Sequence, residues 1–190
     1  MANGSRHSMF VVKEATNGVT PTDPALELVR ITGTTLGLSK DSLQSEEIRS
    51  DRQISDYRQG SNQVGGDINF ELSYGSFDQL LQGVLVSDDW ATDTPIAGTD
   101  QIKSAQTRSS FTFVRNFADI DGADNPYYIY RGVEINQMQL SVTANAMITG
   151  TFSVIGKSQT TAQDLTALGT PTFPAPSTTS PLDSFTGSLN

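Results

Sequence analysis

Eight residues that follow a Gly-Gly pair set the terms for this chain. In DINFELSY, residues 67–74, Ile68, Phe70 and Leu72 fall on one parity and Asp67, Asn69, Glu71 and Ser73 on the other. A period of two is a strand with one buried and one wet face. A second pattern follows at once. Phe77, Leu80, Leu81, Val84 and Leu85 fall at i, i+3, i+4, i+7 and i+8, a single apolar helical stripe. Ser76 and Gln79 match a capping box and Asp78 suits a helix start, so the spacing predicts a helix over Ser76–Val86. That helix should lie on the strand's apolar face, where each buried Phe or Leu is worth about 1.5–3 kcal/mol.

The stretch before Gly65 and Gly66 has a different character. In Glu46–Gln63 the strong apolar residues are Ile48, Ile54 and Tyr57, while Glu46, Glu47, Asp51 and Asp56 interleave with Arg49, Arg52 and Arg58. Such a segment buries little by itself. It reads either as a solvated loop or as an arm ordered by another subunit, with arginines forking onto partner carboxylates.

The rest of the chain is β-rich. Of its 190 residues 36% are hydrophobic and 17% charged, and the surplus of Ser, Thr, Asn, Gln and Gly favours strands and loops over helix bundles. Met9–Ala15 and Leu26–Thr32 read as strands, the second buried. In Ser109–Phe117, Phe111, Phe113 and Phe117 share a face with Arg115. Tyr128–Val142 and Met147–Lys157 read as a long hairpin around TANA. Val133 and Ile135 share one parity, but Met138, Leu140 and Val142 share the other, which places a β-bulge near Asn136-Gln137. Trp90 is expected to pack under the polar loop at 87–107. Ser158–Asn190 contains no Lys or Arg and includes TPTFPAPSTTSP, an extended linker composition. The expected division is therefore a domain over 1–157 and a tail or linker over 158–190, with a second domain possible beyond it. Truncation after Gln159 should then leave the melting temperature nearly unchanged.

No catalytic or cofactor chemistry is legible. His7 is the sole histidine and Cys is absent; Met1–Ser8 reads as a mobile terminus. A nucleophile–base pair or a zinc site lacks its parts. Asp119, Asp121 and Asp124 sit close together, but an EF-hand would need a Glu where Tyr130 stands; a turn built from Asp, Gly, Asn and Pro fits better. Glu46-Glu47 and Asp88-Asp89 lie in polar segments with nothing to raise a pKa. The net charge of -9 disfavours gripping nucleic acid, which depends on Lys and Arg. With no membrane-length apolar run and no signal peptide, a soluble protein made in the cytoplasm is expected.

SEEIRSDRQISDYRQGSNQVGGDINFELSYGSFDQLL resembles the signature region of tail tube proteins from long-tailed, siphovirus-type bacteriophages. The likeness runs from GSRHSMFVVKEATNGVTP to GVEINQMQLSVTANAMITGTFSVIGK, covering the chain to about Lys157. It implies a mainly β barrel or sandwich with one short flanking helix, joined into rings that stack into a tube conducting the genome. The implied partners are further copies of the chain, hexameric per ring, the tape-measure protein, and the tail terminator and tail tip proteins. DNA would pass without specific binding, no cofactor or membrane is involved, and the product belongs to the virion tail, assembled in the host cytoplasm.

Under this likeness Glu47, Arg49, Arg52, Ile54, Tyr57 and Arg58 are candidate inter-subunit arm residues. The polar faces of the strand and the hairpin supply candidate lumen residues: Asp67, Asn69, Glu71, Glu134, Gln139, Thr149 and Thr151. None is basic, so a lumen lined by them would repel phosphate. The same face could instead be the outside of a sandwich. Two alternatives stay open: the inner tube of a contractile tail or injection system, and a carbohydrate- or surface-binding β-sandwich, which would need an aromatic platform such as Tyr127, Tyr128 and Tyr130.

Overall fold

The alternation in residues 67–74 belongs to a longer strand than its pattern suggests. The computed structural model describes residues 6–45, 57–87 and 90–185. In chain order these form β1 (His7–Lys13), β2 (Glu27–Val29), β3 (Ile31–Thr34), β4 (Gly37–Gln44), β5 (Tyr57–Glu71), α1 (Asp78–Val84), β6 (Trp90–Ala91), β7 (Gln101–Ile102), β8 (Phe111–Phe117), β9 (Tyr127–Ser141), β10 (Thr149–Gly156) and β11 (Ser158–Ala162). The main sheet runs β2-β1-β8-β9-β10-β5-β3, with β4 continuing beside β5 and β11 beside β9, all antiparallel.

This sheet folds over on itself. Ile68, Phe70, Phe152 and Val154 from one half face Met9, Val11, Phe111, Phe113, Tyr130 and Val133 from the other, and Phe77 and Leu80 of α1 close the open side. Phe70 and Phe152 stack at 4.5 Å and Phe77 tilts onto Phe70 at 4.6 Å. The predicted strand–helix contact is thus part of the main core. The cap differs: Phe77 is the N-cap and no side chain caps the helix, because Ser76 Oγ accepts a hydrogen bond from Ser73 Oγ at 2.7 Å instead.

The segment 26–32 is not one strand. It divides at Arg30: β2 pairs with β1, while β3 pairs with β5. The chain crosses here between the two halves of the sheet. His7 is not in a loose terminus either; it opens β1 opposite Phe117. The predicted hairpin bulge is at Asn136, which is skipped between Gln137 opposite Ser153 and Ile135 opposite Val154. Trp90 sits half-buried in the small β6–β7 hairpin, its Nε1 donating to Asp100.

The larger departure concerns the residues after Lys157. Residues 158–162 form β11 on the N-terminal half of β9. Leu165 and Leu168 then pack with Leu26, Val114 and Ile129 in a second core on the far face of β8 and β9. Phe173 meets Phe10 edge to face, and residues 181–184 bridge to Ser73 and Met147. A linker composition conceals this because the strap is held mainly by main-chain hydrogen bonds and two leucines.

Glu14 joins these pieces. Its carboxylate is buried and accepts from Gly18 N at 2.7 Å, Thr112 Oγ1 at 2.7 Å, Ser110 Oγ at 2.8 Å and Gly132 N at 2.9 Å. Burial pushes its pKa up, but the bonds from Gly132, Thr112, Gly18 and Ser110 outweigh burial and hold it below the ordinary value.

Two outcomes follow. Truncation after Gln159 should lower the melting temperature by more than about 8 °C, since losing two buried leucines costs roughly 3–6 kcal/mol; differential scanning calorimetry checks this. Glu14→Gln should cost about 2–4 kcal/mol near neutral pH, because donors are left facing a donor. A lowered pKa means the Glu14 contribution is complete above the unfolded carboxyl's pKa and lost as pH falls through the folded one. The gap between wild type and Glu14→Gln in urea melts should therefore narrow on acidification.

Candidate assembly face

Over residues 67–71 of β5, 149–153 of β10 and 137–141 of β9 the face that points away from the core is polar, and the exposed Ile155 lies just past its end. In register, Asp67, Asn69 and Glu71 lie opposite Ser153, Thr151 and Thr149, which lie opposite Gln137, Gln139 and Ser141. Ser153 Oγ donates to Asp67 Oδ1 at 2.6 Å and Thr151 Oγ1 to Asn69 Oδ1 at 2.8 Å. Nine side chains thus form a three-strand ladder that carries two carboxylates and no base. Cross-strand pairs of this kind hold a sheet face in register.

Six of the seven candidate lumen residues come together on this ladder. Glu134 does not join them. It lies beyond the bulge, where it pairs with Arg108 and accepts from Asn17 Nδ2 at 3.1 Å. Gln137, set aside in the sequence as part of the bulge, takes its place. Of the candidate arm residues, Glu47, Arg49, Arg52 and Ile54 lie outside the described residues. Tyr57 and Arg58 open β5 opposite Gln44 and Leu43. The second half of the expected arm is therefore one side of a β-ribbon, an outcome hidden by its polar composition.

Open strand edges bound the ladder on both sides. Among the described residues β3 has β5 on one side and no strand on the other, and residues 136–141 of β9 pair with β10 alone. Tyr130 is buried and donates its hydroxyl to Leu36 O at 3.3 Å, and Tyr127 and Tyr128 are half-buried. Tyr128 and Tyr130 pack with the main core and Tyr127 with the second one, so the three make no shared exposed platform. Asp121 Oδ1 accepts from Ala123 N in a tight turn, and no group of three potential metal ligands occurs among the described residues.

The root of the β4–β5 ribbon is tightly built. Thr35 and Leu36 press against Gly66, whose φ is +148°. Leu36 O accepts from Arg115 and Tyr130, and Arg115 Nε donates to His7 Nε2 at 3.0 Å. Burial and the nearby Arg115 charge lower the His7 pKa, so the imidazole accepts this bond neutral. Nothing in the periodicity marks the pair, since Arg115 reads simply as one residue of an apolar face.

The sheet thus presents a three-strand polar ladder between open edges, with its other face buried in the main core and the open side of that core closed by α1. A family model described as phage tail tube protein matches residues 4–190. The chain belongs to the phage tail tube family. No curated protein sequence matches it. Among solved structures it is similar to the SPP1 tail tube, with a TM-score of 0.52 at 11% identity over 86% of this chain and 80% of that one. It is also similar to the tail of an empty GTA particle refined with C6 symmetry, with a TM-score of 0.52 at 8% identity over 85% and 99% of the two chains. A native gene transfer agent virion gives 0.51 at 7% identity over 85% and 99%. At such identities these likenesses establish the fold, and the family match makes the chain a structural tail tube protein of the phage particle.

Gly66 tests how the tail tube fold sets its ribbon. A Cβ there would stand 2.6 Å from Thr35 O and 2.7 Å from the Leu36 backbone. Gly66→Ala should cost more than about 2–3 kcal/mol through clash and backbone strain. Gly75→Ala, where φ is +69° and nothing lies within 4 Å, should cost about 1 kcal/mol from strain alone. Chemical denaturation of both variants provides the comparison.

Proposed function

We propose that copies of this chain close into a ring through the two open edges, β3 of one copy against residues 136–141 of β9 in the next, and that the polar ladder then lines the lumen. The observation that carries this is the ladder itself: acidic to neutral, free of Lys and Arg, and flanked by unpaired edges. An open edge is an aggregation hazard that ring closure removes. Six copies per ring match the family expectation and the C6 symmetry of the GTA tail. Rings stack head to tail, a heterologous contact that extends into a filament. Assembly takes place in the host cytoplasm. The tape-measure protein occupies the lumen during assembly, and terminator and tip proteins close the ends.

An acidic wall suits a conduit. Polyanion binding depends on Lys and Arg neutralising phosphates, so DNA finds no holding point on this ladder. The edge and solvent faces of an ordinary sandwich have no such requirement. Replacing Asp67 and Glu71 together with Lys is expected to leave tubes of normal length and to slow or stall genome ejection, because each ring acquires a positive collar. Ejection kinetics followed by dye uptake into released DNA read the effect. Normal kinetics from such tubes would move the ladder to the outside.

A further inference from the structure

A third open edge lies away from the ladder, at the root of the ribbon. From Glu71 back to Val64, β5 is flanked by β10. At Gly156 that lane empties. The chain turns at Lys157 and stays with β9 as β11, while β5 continues toward Tyr57 with β4 as its sole partner strand among the described residues. The result is a fork. One wall is the vacated side of β5 over residues 59–63; the other is the outer edge of β11 over residues 158–162, five residues each. A cleft of about 460 Å³ lies at its base, lined by Asn62, Gln63, Val64 and Gly65 of β5, by Ile155 and Gly156 of β10 and by Ser39.

Two features show that the fork is built in. Gly156 has no room for a side chain, since a Cβ there would stand 2.7 Å from Val64 Cγ1, so β5 and β10 are packed tightly right up to the point where they part. The ribbon beyond is two strands with mostly exposed polar side chains, a structure of marginal stability in isolation. Leu38 and Val64, paired across it, are the last residues it buries.

We infer that the lane vacated beside residues 59–63 of β5 is a strand-acceptor site, filled in the tube by an extended strand of a second copy. The second copy follows from composition and architecture. Main-chain pairing along an edge is indifferent to sequence, and the exposed side chains at the fork are neutral Gln, Ser, Asn and Thr, which select neither a charged partner nor an apolar one. Each copy itself presents a strand long enough to fill the lane, β4 at Gly37–Gln44, whose outer edge is unpaired because it pairs with β5 alone among the described residues. In a structure made of repeats of one chain, that edge recurs at every subunit. The inference rests on the tube reading for its partner, but concerns an edge that ring closure through β3 and β9 leaves open.

Residue-resolved hydrogen exchange on unassembled subunits and on tubes tests it. In the subunit, the amides of residues 59–63 directed away from β4 should exchange freely, those directed toward β4 being already protected. In tubes the free set should slow by at least about tenfold, restoring protection at every residue. An even slowing of all amides would indicate burial without strand pairing and would overturn the inference, as would tubes in which the amides directed away from β4 still exchange freely. Subunits that form no tubes at all would remove the tube reading, and this inference with it; the two failures are separated by electron microscopy of the same sample.

Discussion

A buried carboxylate with four donors is the constraint around which the fold is arranged. Glu14 takes the amide of Gly132, and Gly132 is where β9 departs from regular pairing: Phe111 lies opposite Val133 and Phe113 opposite Tyr130, so the residues between are out of step. Gly132 has φ +64° and Lys157 packs where its side chain would be. An unpaired amide buried at such a site costs about 1–3 kcal/mol. Glu14 removes that cost and, through Gly18, ties down the TNGV turn as well. The irregularity allows one strand to serve two sheets. Its first half runs between β8 and β11, its second beside β10, and the barrel bends where they meet.

That bend explains the division of labour along the molecule. The part built on β1, β8 and the first half of β9 is covered on both faces, with the main core on one side and the Leu165–Leu168 cluster on the other. Thr112, on the side of β8 away from the phenylalanines, is as buried as they are because it donates to Glu14. The half containing β3, β5, β10 and the end of β9 is buried on one face only; its other face is the exposed polar ladder, and its two edges pair with no further strand among the described residues. One half holds the fold and the other presents it.

The sequence made the second half easier to read than the first. Alternation in Asp67–Glu71 and in Thr149–Val154 is unambiguous because one face is wet, and the phase change at Asn136 survives because both sides of the bulge still alternate. Helix α1 was visible for a similar reason. In the first half both faces are buried, so Phe111–Val114 carries no alternation in burial, and Glu14 looks like a surface carboxylate until its donors, distant in sequence, are brought together. The break at Arg30 is equally silent, because a buried strand and two shorter buried strands share one composition. Local chemistry also misled: Ser76 and Gln79 have capping spacing, but Ser73 claims the hydroxyl. The ribbon reads from its sequence as a solvated loop or an arm because exposed two-stranded β structure needs few apolar residues.

The strap that ends at the hairpin tip has a mechanical consequence. Ser184 N donates to Ala146 O, Leu182 N to Leu72 O, and Ile148 N to Leu182 O, so a few main-chain bonds fasten the last described residues across two loops. A pull on the chain end reaches the bond at Ser184 first and those at Leu182 afterwards, and the attachment yields stepwise, like a peeled tape. Tension along β10 is shared at once by the eight register pairs that join it to β5. The same sheet is therefore weak to a load applied at its strap and strong to one applied along β10.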